Sequence, residues 1–119
     1  MPEQKMPDVT GKGPALMREM LAIFKEMESK LSGLSPEAAG QIKTMCNGKG
    51  AEMEPLLSRA YMKTVKAGEV AWQCKEMARA LEEAVVNGNE AAALETLANL
   101  QKELDGLIHT TKTFVIRMT

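Results

Sequence analysis

The chain has one histidine, two cysteines and 16 carboxylates among its 119 residues, so the side chains able to do chemistry are few. His109 is the single group whose ordinary pKa lies near neutrality. It is the only base available to a Ser-His-Asp arrangement, and a histidine-rich metal site is excluded. Asp105 stands four residues earlier, which on a helix brings its carboxylate within hydrogen-bonding reach of the imidazole. A histidine in such a setting is ordinarily a solvated surface residue, and His109 is read first in that way. Cys46 and Cys74 fit no C-x-x-C pattern and have no companion histidine. They read as small buried apolar residues of a reducing compartment, with a single disulfide left open. Glu52, Glu54, Glu82 and Glu83 fall on polar faces, and without paired Glu-x-x-His motifs a di-iron carboxylate site is not expected. Gly11-Lys12-Gly13 and Gly48-Lys49-Gly50 each read as a flexible turn opening a helix. A phosphate-binding loop needs G-x-x-x-x-G-K-[ST] behind a strand, and neither tripeptide meets that requirement. The residues therefore point to no catalytic, cofactor-binding or metal-ligating set.

The elements that must position these residues are helices. Residues 1–12, with Pro2, Pro7 and Gly11, read as a flexible leader, and residues 13–119 as one domain. Pro14 sits at the start of a helix, where its missing N–H costs nothing. Met17, Met20, Phe24, Met27, Leu31 and Leu34 follow at steps of three and four, giving one buried stripe that ends at Ser32-Gly33. Ser35-Pro36-Glu37 restarts the chain with an N-cap, a proline and an acid. The short helix behind it turns Ala39, Ile42, Met45 and Cys46 inward and is expected to stop at Asn47-Gly48-Lys49-Gly50. From Pro55 to Val86 a single helix is sterically allowed, but its stripe changes side. Leu57, Tyr61, Val65 and Trp72 share one face, whereas Val70, Cys74, Met77, Leu81 and Val85 lie about 200° away. A break near Ala67-Gly68 reconciles the two stripes. Asn87-Gly88-Asn89 closes that helix and caps the last one. There Ala93, Leu97, Leu100, Leu104, Leu107, Thr111, Phe114 and Met118 form an unbroken seam. Thr110–Ile116 is rich in β-branched residues, yet no second strand exists to pair with it. The fold expected is all-α, an up-and-down bundle of four to five helices with a long C-terminal helix.

Two resemblances follow from where His109 falls. The segment His109-Thr110-Thr111-Lys112-Thr113 resembles the signature of histidine-phosphotransfer domains, whose exposed helical histidine is followed by lysine at the third position and glycine at the fourth. Lys112 matches, Thr113 replaces the glycine, and ten residues follow His109 where that family places further helices. The resemblance implies a phosphoacceptor role for His109 with Lys112 beside it. The pairing of Met17 or Met20 in the first helix with His109 in the last is similar to that of b-type cytochrome bundles, and implies haem or another small ligand between them. An axial histidine must face the interior, whereas the helical wheel puts His109 opposite the Leu97–Met118 seam. No Cys-x-x-Cys-His attachment is present, and no cofactor is assigned.

Composition narrows the partners. Apolar residues make up 45% and charged residues 26%, enough for a core and too apolar for a disordered chain. Aromatic residues are 3%, so ten methionines must do much of the filling, with the side benefit of adaptable surfaces. The net charge is −1, and residues 1–60 carry eight charges of each sign. With no basic stripe, nucleic acid is not expected as a partner. Apolar runs are too short for a membrane span, and the N-terminus lacks a signal-peptide core, so a cytoplasmic location is expected. What remains is surface recognition. Tyr61, Val65 and Trp72 share a face that the following stripe does not; such a face is first a second internal packing layer, and otherwise an interface, which aromatics of this kind anchor. The expected function is a non-catalytic helical interaction module: an adaptor, small chaperone or regulatory subunit, binding a protein partner or itself.

Overall fold

The computed structural model describes residues 7–114 and is all-α, with no strand among them. Its four helices are α1 (Gly13–Met27), α2 (Pro36–Met53), α3 (Val65–Val86) and α4 (Glu90–Thr113), with 3-10 segments between α1 and α2 and between α2 and α3 and a tight turn between α3 and α4. α1 and α3 run up and α2 and α4 run down. At one end the α1 start lies against Met62 just before α3, and Thr111 near the end of α4 reaches the same Met62. At the other end Ser35 N–H donates to Glu90 Oε1 at 2.9 Å, tying the starts of α2 and α4 together. No described helix is long and apolar enough to cross a membrane.

The helix ends follow from local chemistry. Ser35 Oγ accepts from the Ala38 N–H at 3.2 Å, and Asn89 Oδ1 accepts from Ala92 at the same distance, so both expected caps form. Gly88 takes a φ of +68° and ends α3 in a Schellman turn, in which Asn89 N–H donates to Ala84 O and Gly88 N–H to Val85 O. The first stripe also ends at Gly33 as expected, although its last six residues, Glu28–Gly33, tighten into a 3-10 helix.

Two expectations about the middle of the chain are corrected. α2 does not stop at Asn47-Gly48; it runs through Gly48-Lys49-Gly50 to Met53, so that tripeptide lies inside a helix. Buried Met53 and Cys46 hold the continuation in place, overriding the low helical preference of glycine. Next, Pro55 opens only a 3-10 turn, and Leu57 and Tyr61 are not helical neighbours of Trp72. The break between the two stripes lies at Glu54–Thr64, and α3 starts at Val65 with Thr64 Oγ1 capping the Ala67 N–H at 3.2 Å. Gly68 sits inside the first turn of α3 for a steric reason: a Cβ there would run into the carbonyl oxygen of Val9. Val9, which crosses Gly68, is itself buried.

The core is methionine-rich, as composition required. Met17, Met20, Met27, Met45, Met53 and Met62 are all buried. α1 and α3 form the most extensive interface. Large α1 residues, Met17, Met20, Phe24 and Met27, are matched by small α3 residues, Ala67, Ala71 and Ala78, all fully buried. The inward face of α3 thus includes alanines beside Cys74, Leu81 and Val85, while Val70 and Met77 are only half-buried. In α4, Ala93, Leu97, Leu100, Leu104, Leu107 and Thr111 are buried as the seam required. Thr111 satisfies its hydroxyl by donating to Leu107 O at 2.6 Å. Phe114 departs from the seam: it lies one residue past α4 in extended conformation and is 41% exposed. Met118 lies outside the described residues.

Candidate functional site

The end of the bundle where α3 begins and α4 ends carries the most distinctive surface. Tyr61, in the 3-10 turn Ala60–Lys63, is half-buried, and its ring meets that of Phe114 with centroids 5.1 Å apart and planes at 49°. Such tilted pairs are favourable beyond their burial. Val65, the first residue of α3, is 51% exposed four residues after Tyr61. Among the described residues the other exposed large apolar side chains are Phe114 and Val86, so two of these three neighbour Tyr61, Phe114 through its ring and Val65 four residues on in the chain. Trp72 lies two turns along α3 from Val65 on the same face, half-buried and packed on the core. The expected trio Tyr61, Val65 and Trp72 is therefore redrawn. Leu57 is core, Tyr61 belongs to the turn before α3, and Phe114 is its immediate neighbour.

Charge completes this surface. Residues 55–68 contain Arg59, Lys63 and Lys66 and no carboxylate, and residues 106–114 contain Lys112 and no carboxylate. All four cations are exposed, and none forms a salt bridge among the described residues. Asp8 and Lys12, in the segment that packs Val9 against Gly68, add one charge of each sign nearby. Far from this end, residues 80–101 contain Glu82, Glu83, Glu90 and Glu95 and no cation. The two acid-free stretches are visible in the sequence, but only the fold brings them side by side.

His109 is exposed on α4 and Lys112 is exposed one turn later. The Thr113 hydroxyl donates to the His109 carbonyl at 2.9 Å, and α4 ends there. The i,i+4 partnership with Asp105 does not form: Asp105 pairs with Lys49 of α2 instead. That hydrogen bond, opposed by partial burial, raises the Lys49 pKa above its ordinary value and keeps the ammonium charged. Met17 and Met20 are completely buried in the core, whereas His109 faces solvent, so the methionine–histidine pair is not brought together around an interior site. Among the described residues no group of His, Cys, Asp and Glu is placed to hold a metal ion.

A cleft of about 660 Å³ separates α2 from α4, floored by Met45 and Leu97 and edged by Gly40, Thr44, Gly48 and Gln101. Its one cation, Lys49, is already engaged by Asp105 and Glu52. Both cysteines are free and buried. Burial, helped by the negative charge of Glu28 near Cys46 and Glu103 near Cys74, pushes each thiol from its ordinary 9.0 up to about 12. Iodoacetamide at pH 8 should therefore label both thiols at the rate of global unfolding; fast labelling of the folded protein would show that they are accessible. Because the raised pKa favours the neutral thiol in the fold, this contribution is complete below pH 9.0 and declines as pH rises from there towards 12.

No protein-family model, no curated protein and no solved structure matches the chain.

Proposed function

We propose that the chain is a non-catalytic helical interaction module, an adaptor, small chaperone or regulatory subunit, that docks through the Tyr61–Val65–Phe114 end of the bundle. The observation that carries this reading is that Phe114, 41% exposed, packs its ring against Tyr61, four residues before the 51% exposed Val65, so apolar side chains of three chain segments lie at one end of the bundle. Leaving that area in water costs folding free energy, and the cost is recovered when a partner covers it. Trp72 forms the far edge of the same surface. The two free, buried thiols support a reducing, cytoplasmic setting.

The reading separates interface from core by experiment. Val65→Ser should change the urea-unfolding free energy by less than about 1 kcal/mol, because the side chain is already half in water, and Phe114→Ser by about 1–2 kcal/mol, because it also gives up the ring contact with Tyr61. A loss of several kcal/mol would place them in the fold's own packing and remove the docking surface. A photo-crosslinking residue at Val65 should capture a defined partner or a second copy, whereas one at Val86 should not.

The exposure of His109 on a bundle helix, with Lys112 one turn on, favours histidine phosphotransfer as a second reading. Incubation with acetyl phosphate is expected to give no acid-labile adduct beyond that of His109→Gln. An adduct present in the native chain and absent from that variant would transfer the function to phosphoryl relay.

A further inference from the structure

From the same end of the bundle we infer the chemistry of the partner: an acidic amphipathic segment of another protein, its apolar side chains seated on Tyr61, Val65 and Phe114 and its carboxylates facing the surrounding cations. The inference rests on the docking reading above and adds the sign and the kind of the ligand. Lys63 lies midway between Tyr61 and Val65 in the chain, Lys66 follows Val65 directly, and Lys112 precedes Phe114 by two residues. With Arg59 these make four exposed cations around the apolar centre, in two stretches free of carboxylates. Glu69, three residues after Lys66, and Asp8, next to the Val9 that crosses Gly68, are nearby carboxylates. Yet none of the four cations is ion-paired among the described residues, so like charges in excess repel one another and the surface gains most from an anionic partner. At ordinary ionic strength the Debye length is about 8 Å, so an acid on the docked segment meets these ammonium groups largely unscreened, while the distant Glu82–Glu95 stretch is screened.

The apolar centre decides among anionic partners. A membrane surface holds a peripheral protein through an extended apolar helix face inserted into the headgroup layer, usually with a second anchoring signal. Here the apolar area is small and divided between a 3-10 turn, the first residue of α3 and the residue after α4. Single-stranded nucleic acid needs ring faces open for stacking bases, and the Tyr61 and Phe114 rings pack on each other. An acidic helix with apolar residues at every third or fourth position offers both matching features in a compact footprint.

The test uses the full chain and five probes, read by fluorescence anisotropy or co-sedimentation. Three are labelled peptides: an amphipathic helix with Leu and Phe on one face and Glu on the other, the same peptide with Lys replacing Glu, and a scrambled version of the acidic one. The others are phosphatidylserine-containing vesicles and oligothymidine. The acidic amphipathic peptide should bind at least about tenfold more tightly than its Lys and scrambled counterparts. Its affinity should fall between about 0.05 M and about 0.5 M salt. The triple variant Lys63→Glu, Lys66→Glu, Lys112→Glu and the pair Val65→Ser, Phe114→Ser should each weaken it by about tenfold or more. Circular dichroism of every variant checks that the helices persist. Equal binding of the acidic and Lys peptides, with loss only in the Val65→Ser, Phe114→Ser pair, would overturn the acidic partner and leave the docking surface standing. Peptide binding untouched by either set of variants, or no peptide binding, would overturn both. Vesicles or oligothymidine binding more tightly than the acidic peptide, with loss in the charge-reversed variant, would reassign the surface to lipid or nucleic acid.

Discussion

Leu104→Ala is expected to lower the unfolding free energy by about 2–5 kcal/mol, and Leu104→Asp to leave no folded protein. Leu104 is completely buried in the middle of α4, between Leu100 and Leu107 on the seam that faces the other helices. Removing its three terminal carbons leaves a void whose cost depends on how far the neighbours can collapse into it. On the side of α3 collapse is restricted, because α3 packs along α4 more extensively than any other helix does. On the side of α2 the helix is held more loosely and beside a cleft, so movement there is easier. A value near the low end would therefore report relaxation of α2, and one near the high end a rigid frame. The aspartate has no such range, since no cation lies in the seam to pair with it. Urea denaturation measures both; an alanine shift below about 0.5 kcal/mol would show that Leu104 is not a core residue.

Why α4 is legible in the sequence and the middle of the chain is not comes down to what marks a buried face. In α4 large residues recur at steps of three and four, and the burial of every described seam position up to Thr111 follows directly. In α3 the fully buried face includes Ala67, Ala71 and Ala78, whose side chains are too small to stand out in a periodic pattern. The larger Val70 and Met77 imitate core positions, which shifts the stripe and moves the apparent break to Gly68. Gly68 is there because Val9 crosses it, a contact between residues 59 positions apart that local sequence does not reveal. In α2, Gly48 and Gly50 look like a stop, whereas Met53 is buried one turn further on and carries the helix past them.

The candidate site is half legible for the same reason. Tyr61 and Val65 stand out as apolar residues outside the stripe that follows them. Phe114 does not, because it continues the spacing of the seam and only the end of α4 at Thr113 frees it. Charge is hidden by averaging. Eight charges of each sign in residues 1–60 imply an even surface. Yet an up-and-down bundle folds the acid-free residues 55–68 against the acid-free residues 106–114, and leaves the cation-free residues 80–101 to extend away.

The glycines give the second large effect, and its sign differs by position. Gly40 and Gly48 lie in α2 with nothing within 4 Å of where a Cβ would stand, so the methyl of alanine would meet only open space. Each Gly→Ala change there should stabilise by about 1 kcal/mol, through the restricted unfolded chain and the better helical preference, and the double variant by about 2 kcal/mol. Gly68 is also helical and gains the same preference, but a Cβ would strike the Val9 carbonyl oxygen and crowd its side chain at 3.1 Å. Backbone cannot rotate aside as a long side chain can, so the segment carrying Val9 must move and its buried side chain loses contact. Overpacking of this kind costs about 1–3 kcal/mol and uncovering a valine about 1.5 kcal/mol or more, which together exceed the helical gain. Gly68→Ala should therefore destabilise by about 1–3 kcal/mol. Gly13→Ala should do the same, since its Cβ would meet the Met62 carbonyl oxygen, again backbone, at the first position of α1. Urea melts of the four single variants decide the matter. If Gly68→Ala stabilises as Gly40→Ala does, Val9 does not cross α3 in solution and the segment before α1 is no part of the core. If Gly40→Ala destabilises, α2 is not packed with that face open, and the cleft between α2 and α4 is filled by something other than water.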